Sequence, residues 1–135
     1  MDLMSFVVAE WPLVITLVIM VSAFLMLESK KGGAVVTHHQ ATRLVNSGEA
    51  VFVDIRDSKD YRNGHIVDSI NIPYADLSEK FDELSPHKQK QIIVVDKMGQ
   101  QSGAGGKILR DNGFQVLRLN GGMSEWSHQN LPLVS

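Results

Sequence analysis

The chain has 135 residues, of which 13 are Lys or Arg and 15 are Asp or Glu, for a net charge of −2 at pH 7. The length suits one domain of ordinary size, and the charge balance gives no electrostatic pull toward nucleic acid. Cysteine is absent, which excludes a disulfide, a persulfide and a thiolate-bound metal.

The amino-terminal part differs in composition from the rest. Trp11 to Leu27 is a run of 17 residues without a charge, bounded by Glu10 and Glu28. As a helix it rises about 25 Å, just short of the ~30 Å hydrocarbon core of a bilayer. Phe6 to Ala9 is also apolar and makes up the difference if Glu10 lies near the interface. Pro12 suits a first helical turn, where its missing N–H is not needed. Trp11 suits the headgroup level. A cleaved signal peptide needs a basic region before the apolar run, and only Asp2 and Glu10 precede this one. A buried core helix would show a polar outer face, and none is visible. Residues 1–29 are therefore expected to be one retained transmembrane helix. Lys30, Lys31 and Arg43 follow it, and no Lys or Arg precedes it. The positive-inside rule then places the amino terminus outside and the remainder in the cytoplasm. Residues 30–35, with Lys30, Lys31, Gly32 and Gly33, read as a basic, flexible tether.

From residue 36 to 135 short apolar runs alternate with helical patterns. Val35-Val36 is a weak first strand. Thr37 and Gln40 have capping-box spacing, followed by the apolar face Ala41, Leu44 and Val45 and a stop at Gly48. Val51 to Val53 reads as a strand ending at Asp54. Ile70 and Ile72 mark a short strand before Pro73. Leu77, Phe81 and Leu84 share a helical face, stopped by Ser85-Pro86. Ile92 to Val95 is continuously apolar, as a strand buried on both faces should be. Ala104, Ile108 and Leu109 mark a helix ending near Gly113. Val116 to Leu119 is the last strand, and Met123 to Gln129 a short terminal helix. Such alternation predicts an α/β fold with a parallel sheet and helices on both faces.

Three separated pieces of sequence carry a resemblance. Asp54-Ile55-Arg56-Asp57, Tyr61, Gly64-His65-Ile66 and Asn71-Ile72-Pro73 form the first. Ile92 to Ser102 is the second, and Gly121-Gly122-Met123-Ser124-Glu125-Trp126 the third. Together they resemble the signatures of the rhodanese-like domain over about Val36 to Leu133. The resemblance implies a parallel five-stranded sheet flanked by helices. It also implies that Asp96 stands where active relatives carry the persulfide-forming cysteine, with Lys97, Met98, Gly99, Gln100, Gln101 and Ser102 as a degenerate active-site loop. The chain is similar to bacterial single-span membrane-anchored rhodanese-domain proteins, which places it in the inner (cytoplasmic) membrane.

In an open α/β sheet, sites form beyond the carboxyl ends of strands, and Asp96 sits there. Gly99 permits unusual backbone angles. A loop turning into a helix start directs several N–H groups inward and favours an anion, and the Asp96 carboxylate is expected to fill that cradle. A carboxylate oxygen cannot form and break a sulfur–sulfur bond, so no catalytic residue is assigned. The rival reading is a hydrolase or phosphotransfer protein using Asp96. Phosphatases of that kind usually carry a second aspartate two residues on, where this chain has Met98. A receiver-type site needs a neighbouring acidic pair to hold magnesium. A third reading is an anion-binding domain that assists a partner's sulfur chemistry.

Asp54, Arg56 and His65 read as support for the loop. A buried ion pair or brace is favoured over substrate binding for Arg56, and a structural hydrogen bond for His65. Gly103 to Lys107 lacks the spacing of a phosphate-binding loop. The five histidines lack metal-ligand spacing. The expected function is non-catalytic protein binding without a cofactor or metal. Other membrane proteins, or a recruited cytoplasmic protein, are the expected partners.

Overall fold

The computed structural model describes residues 2–30 and 32–135, with residues 28–30 as backbone only. Lys31, on which the expected tether and orientation partly rest, lies outside the described residues, as does the side chain of Lys30. The chain divides into two compact units, residues 1–30 and 31–135.

The first unit holds two helices, α1 (Leu3–Ala9) and α2 (Trp11–Lys30). The Asp2 carboxylate caps α1 by accepting the Ser5 N–H at 2.7 Å. This bond, with a lesser one from the Ser5 side chain, holds the Asp2 carboxyl below its ordinary value of 3.8. The sequence led us to expect residues 1–29 as one transmembrane helix, and its continuity is corrected. The helix breaks at Glu10, and the two pieces meet at 89°. Pro12 supplies the reason. Its ring would clash with the carbonyl of Val8 in a continuous helix, and it has no N–H to offer that carbonyl. The residue that suits the start of α2 thus ends α1. Among the described residues, no single helix is long and apolar enough to cross a membrane. Leu3–Ala9 and Trp11–Leu27 meet that requirement of length and composition only as a bent pair.

The second unit is a five-stranded sheet with every pairing parallel. Its strands are β1 (Ala34–Val36), β2 (Ala50–Asp54), β3 (Ile70–Asn71), β4 (Gln91–Val95) and β5 (Gln115–Leu119), in the spatial order β1-β5-β4-β2-β3. β4 is central, which explains its unbroken apolar run. Ile92 and Val94 enter one core, with Val53, Ile55, Leu77, Leu84 and Leu109. Ile93 and Val95 enter the other, with Ala41, Phe52, Ile66, Met123 and Trp126. Period-two alternation along one strand therefore feeds two cores.

Helices cover both faces. α3 (His38–Asn46) carries the full capping box between Thr37 and Gln40. α4 (Ser58–Asn63) follows β2, and α5 (Tyr74–Lys80) follows β3. The helix expected to stop at Ser85-Pro86 instead leaves α geometry at Lys80 and continues as a 3-10 turn over Phe81–His87, with Pro86 inside it. At seven residues it is long for 3-10 geometry, and it still buries Leu84. α6 (Ser102–Asp111) buries Ser102, Gly105, Gly106 and Leu109. It ends just before Gly113, as expected, and Ala104 is exposed. The helix runs so close to neighbouring backbone that glycine takes the inner positions. A Cβ on Gly106 would lie 2.1 Å from the Gly32 carbonyl oxygen. Gly32 and Gly33, read from composition as tether, are therefore packed into the domain, and Ala34 and Val35 already belong to β1. α7 (Gly122–His128) closes the unit.

Candidate functional site

Asp96 follows β4 and is 2% exposed. Its Oδ1 accepts the Gly99 N–H at 2.6 Å. Its Oδ2 accepts the N–H groups of Gln101 and Ser102 at 2.6 and 2.9 Å. The residue preceding α6, Gln101, makes no side-chain cap, so Asp96 satisfies the first donors of that helix from a distance. Gly99 closes the loop with φ +91°, a conformation that a side chain would strain. The loop is a carboxylate held by three backbone donors, and its outer surface borders a cavity of about 230 Å³ lined by Asp96, Lys97, Met98, Gln100 and Gln101.

The start of α7 fixes the loop from the other side. Met123 N–H donates to the Asp96 carbonyl, and Ser124 N–H to that of Lys97, both at 2.8 Å. Gly122 has φ +59°, and a Cβ there would lie 2.4 Å from the Asp96 carbonyl oxygen and 2.6 Å from Oδ1. Sequence reasoning missed this role of residues 122–124, because backbone donors carry no side-chain signature. The adjacent glycines 121 and 122 were the available signal.

Asp54 ends β2 beside the end of β4 and is 1% exposed. Arg56 Nε donates to both of its oxygens at 3.0 and 3.1 Å, and Nη2 to Oδ2 at 2.7 Å. Nη2 also reaches the Gly64 carbonyl at 2.8 Å. Asn71 Nδ2 bonds the carbonyls of Asp54 and Arg56 at 2.9 and 3.0 Å. His65 lies elsewhere. Its Nδ1 is 2.7 Å from the Tyr61 carbonyl, its ring stacks on Tyr61, and its backbone pairs with Val134. Among the described residues, none of Asp54, Arg56 and His65 hydrogen-bonds to loop residues 97–101. The link is one step removed: Ile55 N–H donates to the Val95 carbonyl at 2.8 Å, just before Asp96. Arg56 does share a cavity of about 390 Å³ with Lys97 and Gln101, whose other walls include Asp57 and Asp60. Trp126 is core, edge-on to Phe52, with Nε1 donating to Pro132. Among the described residues, no three His, Asp or Glu side chains converge to hold a metal ion.

Residues 37–129 match the family model of the rhodanese-like domain. The chain belongs to that family. Uncharacterized protein YibN of Escherichia coli (strain K12) is 42% identical over 118 residues, covering 86% of this chain and 81% of that protein. Two solved structures share the rhodanese-like fold at 24% identity and a TM-score of 0.69. One is a rhodanese-related protein from Thermoplasma volcanium, with 76% of this chain and 98% of that chain covered. The other is a thiosulfate sulfurtransferase from Pseudomonas aeruginosa, with 81% and 21% covered. At this identity the two structures speak for the fold alone.

Proposed function

We propose that this protein is a membrane-anchored rhodanese-like domain without sulfurtransferase activity that works as a binding module at the cytoplasmic face of a bacterial inner membrane. One observation carries the loss of activity: the Asp96 carboxylate fills the backbone nest with both oxygens already bonded. A carboxylate has no soft sulfur to form and break a sulfur–sulfur bond, and the cysteine-free chain offers no substitute. Such a buried carboxylate, with three hydrogen bonds on its two oxygens, is also poorly placed to attack phosphorus. The apolar run of α2 supports the anchor, and Lys30 and Lys31 after it support a cytoplasmic domain with the amino terminus outside. Confinement to one surface raises the effective concentration of other membrane proteins. These, or a recruited cytoplasmic protein, are the proposed partners.

The purified chain is expected to form no thiocyanate from thiosulfate and cyanide above the uncatalysed rate. Measurable turnover would overturn the non-catalytic reading. The binding role is tested by pull-down from mildly solubilised membranes with the full chain, the part from Lys31 onward, and Asp96→Ala. A specific partner lost with residues 1–30 or with Asp96 supports the module and locates its surface. No enrichment by any of the three counts against it.

A further inference from the structure

Asparagine followed by glycine occurs three times, at Asn63-Gly64, Asn112-Gly113 and Asn120-Gly121. Asparagine is among the chemically labile residues, and it loses its side-chain amide most readily before glycine, whose nitrogen no side chain shields. The reaction needs that nitrogen to give up its proton and reach the asparagine Cγ. Hydrogen bonds that already engage the N–H or the amide hold it back. After Asn63, the last residue of α4, the Gly64 N–H donates to the Tyr61 carbonyl at 3.2 Å. The Gly64 carbonyl is itself tied to Arg56 Nη2 at 2.8 Å. After Asn112, which caps α6, the Gly113 N–H donates to the Arg110 carbonyl at 3.1 Å. The Asn112 amide is occupied as well, with Nδ2 donating to the Ile108 carbonyl at 2.8 Å. Asn120 differs from both. It is exposed, in the turn that leads from β5 into α7. Among the described residues, neither its side-chain amide nor the Gly121 N–H has a hydrogen-bond partner. The fold also keeps the reactive neighbour in place. Gly121 has φ +70°, and a Cβ there would lie 2.6 Å from the Glu125 Cβ.

We propose that Asn120 is a self-modification site, and that its isoaspartate product loosens the Asp96 loop. The Gly121 nitrogen bonds to the Asn120 Cγ, the Cγ–Nδ2 bond breaks, and ammonia leaves carrying the Gly121 proton. Water then opens the five-membered ring. Opening at Cγ leaves aspartate, and opening at the main-chain carbonyl leaves isoaspartate, whose main chain runs through the former side chain. No oxidant, reductant or second protein takes part. Both products add a negative charge, but only isoaspartate lengthens the main chain by one carbon. That carbon enters where the backbone is held on two sides. The Asn120 N–H donates to the Val36 carbonyl at 2.9 Å. Gly121 packs on Gly99, where an added Cβ would meet the Gly121 nitrogen and Cα at 3.6 Å. A longer chain between these two attachments displaces one of them. Gly99 is the donor to Asp96 Oδ1, and Met123, two residues beyond Gly121, holds the Asp96 carbonyl. The change therefore reaches the nest through backbone contacts and runs in one direction.

The three pairs serve as one another's controls. The full chain in mild detergent is aged in mildly alkaline buffer, then briefly digested with trypsin. Cleavage after Lys and Arg puts the pairs on separate peptides, 63–80, 111–118 and 119–135. Mass spectrometry of the folded chain should show Asn120 deamidating several-fold faster than Asn63 and Asn112. In urea the three rates should draw together. Asn120 no faster than the other two overturns the site, and so does a rate order that urea leaves unchanged. Asn120→Gln needs a larger ring and should abolish the fast deamidation of peptide 119–135. If it persists, Asn130 is the source and the assignment is wrong. The consequence is read separately by hydrogen exchange. The Gly99 and Met123 amides should exchange several-fold faster in the isoaspartate fraction. Asn120→Asp, which adds the charge without the extra carbon, should leave them near the parent. Unchanged exchange in the isoaspartate fraction, or equal acceleration in Asn120→Asp, overturns the backbone route to the loop.

Discussion

Asp54 ends β2 and Asp96 follows the neighbouring parallel strand β4, and both carboxylates are withdrawn from water, but they are balanced by different means. Asp54 faces a guanidinium two residues away, itself only 12% exposed. Asp96 has no cation among its hydrogen-bond partners and is held by three backbone N–H groups of its own loop. The ion pair depends on two side-chain identities and ties β2 to the Gly64 turn. The nest depends on backbone shape, so it can hold any small anion that fits. The first arrangement has a structural task and tolerates little. The second rests on the path of the loop backbone, with no side-chain cation among its hydrogen bonds.

The largest effect is expected from breaking the ion pair. Arg56→Met leaves Asp54 buried without a counter-charge and should cost about 3–5 kcal/mol, read as a fall in the urea midpoint of the full chain in mild detergent. A loss below about 1 kcal/mol would mean that the pair behaves like an exposed one and that the contrast is false. Gly122→Ala attacks the nest from α7. Its φ of +59° and the 2.4 Å approach to the Asp96 carbonyl oxygen should cost about 1–3 kcal/mol in backbone strain. Amide resonances of residues 96–102 should shift, while those of Asp54 and Arg56 stay in place.

Removing the anion comes next. Asp96→Ala orphans the Gly99, Gln101 and Ser102 donors and should cost about 1–3 kcal/mol. The neighbouring cavity lets water reach them, which favours the lower end. Hydrogen exchange checks this residue by residue. The three amides should exchange faster, and the Arg56 amide, bonded to Asp54 Oδ1 at 3.0 Å, should not change. Equal acceleration at Arg56 would mean that the two strand ends open together.

How much of this could be read beforehand depended on which groups make the contacts. β4 was legible because a strand between two cores must be apolar throughout, and the α3 start was legible because Thr37 and Gln40 bond through side chains. The position of Asp96 followed from the end of that apolar run. Its three partners did not, because any residue supplies an N–H. The same reason hid Met123 and Ser124. The inner side of α6 was not legible, because apolarity cannot rank an alanine against glycines, and the approach of Gly32 to Gly106 shows which side is inside. The break at Glu10 was missed because Pro12 was weighed only as a helix start, not for the clash it imposes on the turn before. The pairing of His65 with Val134 spans most of the domain, and no local pattern announces such a contact.

The smallest stability change is expected from Asp96→Cys, and it sharpens the comparison most. A thiolate is a small anion that the same backbone donors can hold, so the variant should keep the unfolding midpoint closer to the parent than Asp96→Ala does. The donors that now hold the carboxylate would favour the thiolate over the thiol, which lowers a cysteine pKa. Alkylation by iodoacetamide at pH 7 should therefore be several-fold faster than at an exposed control such as Asn46→Cys. Fast alkylation with a near-parental midpoint would show that the nest selects for charge and shape and is indifferent to whether oxygen or sulfur bears the charge. Slow alkylation with a lowered midpoint would show that the loop has adapted to a carboxylate. Asp96 would then resemble Asp54 after all, as a residue whose identity the local structure requires.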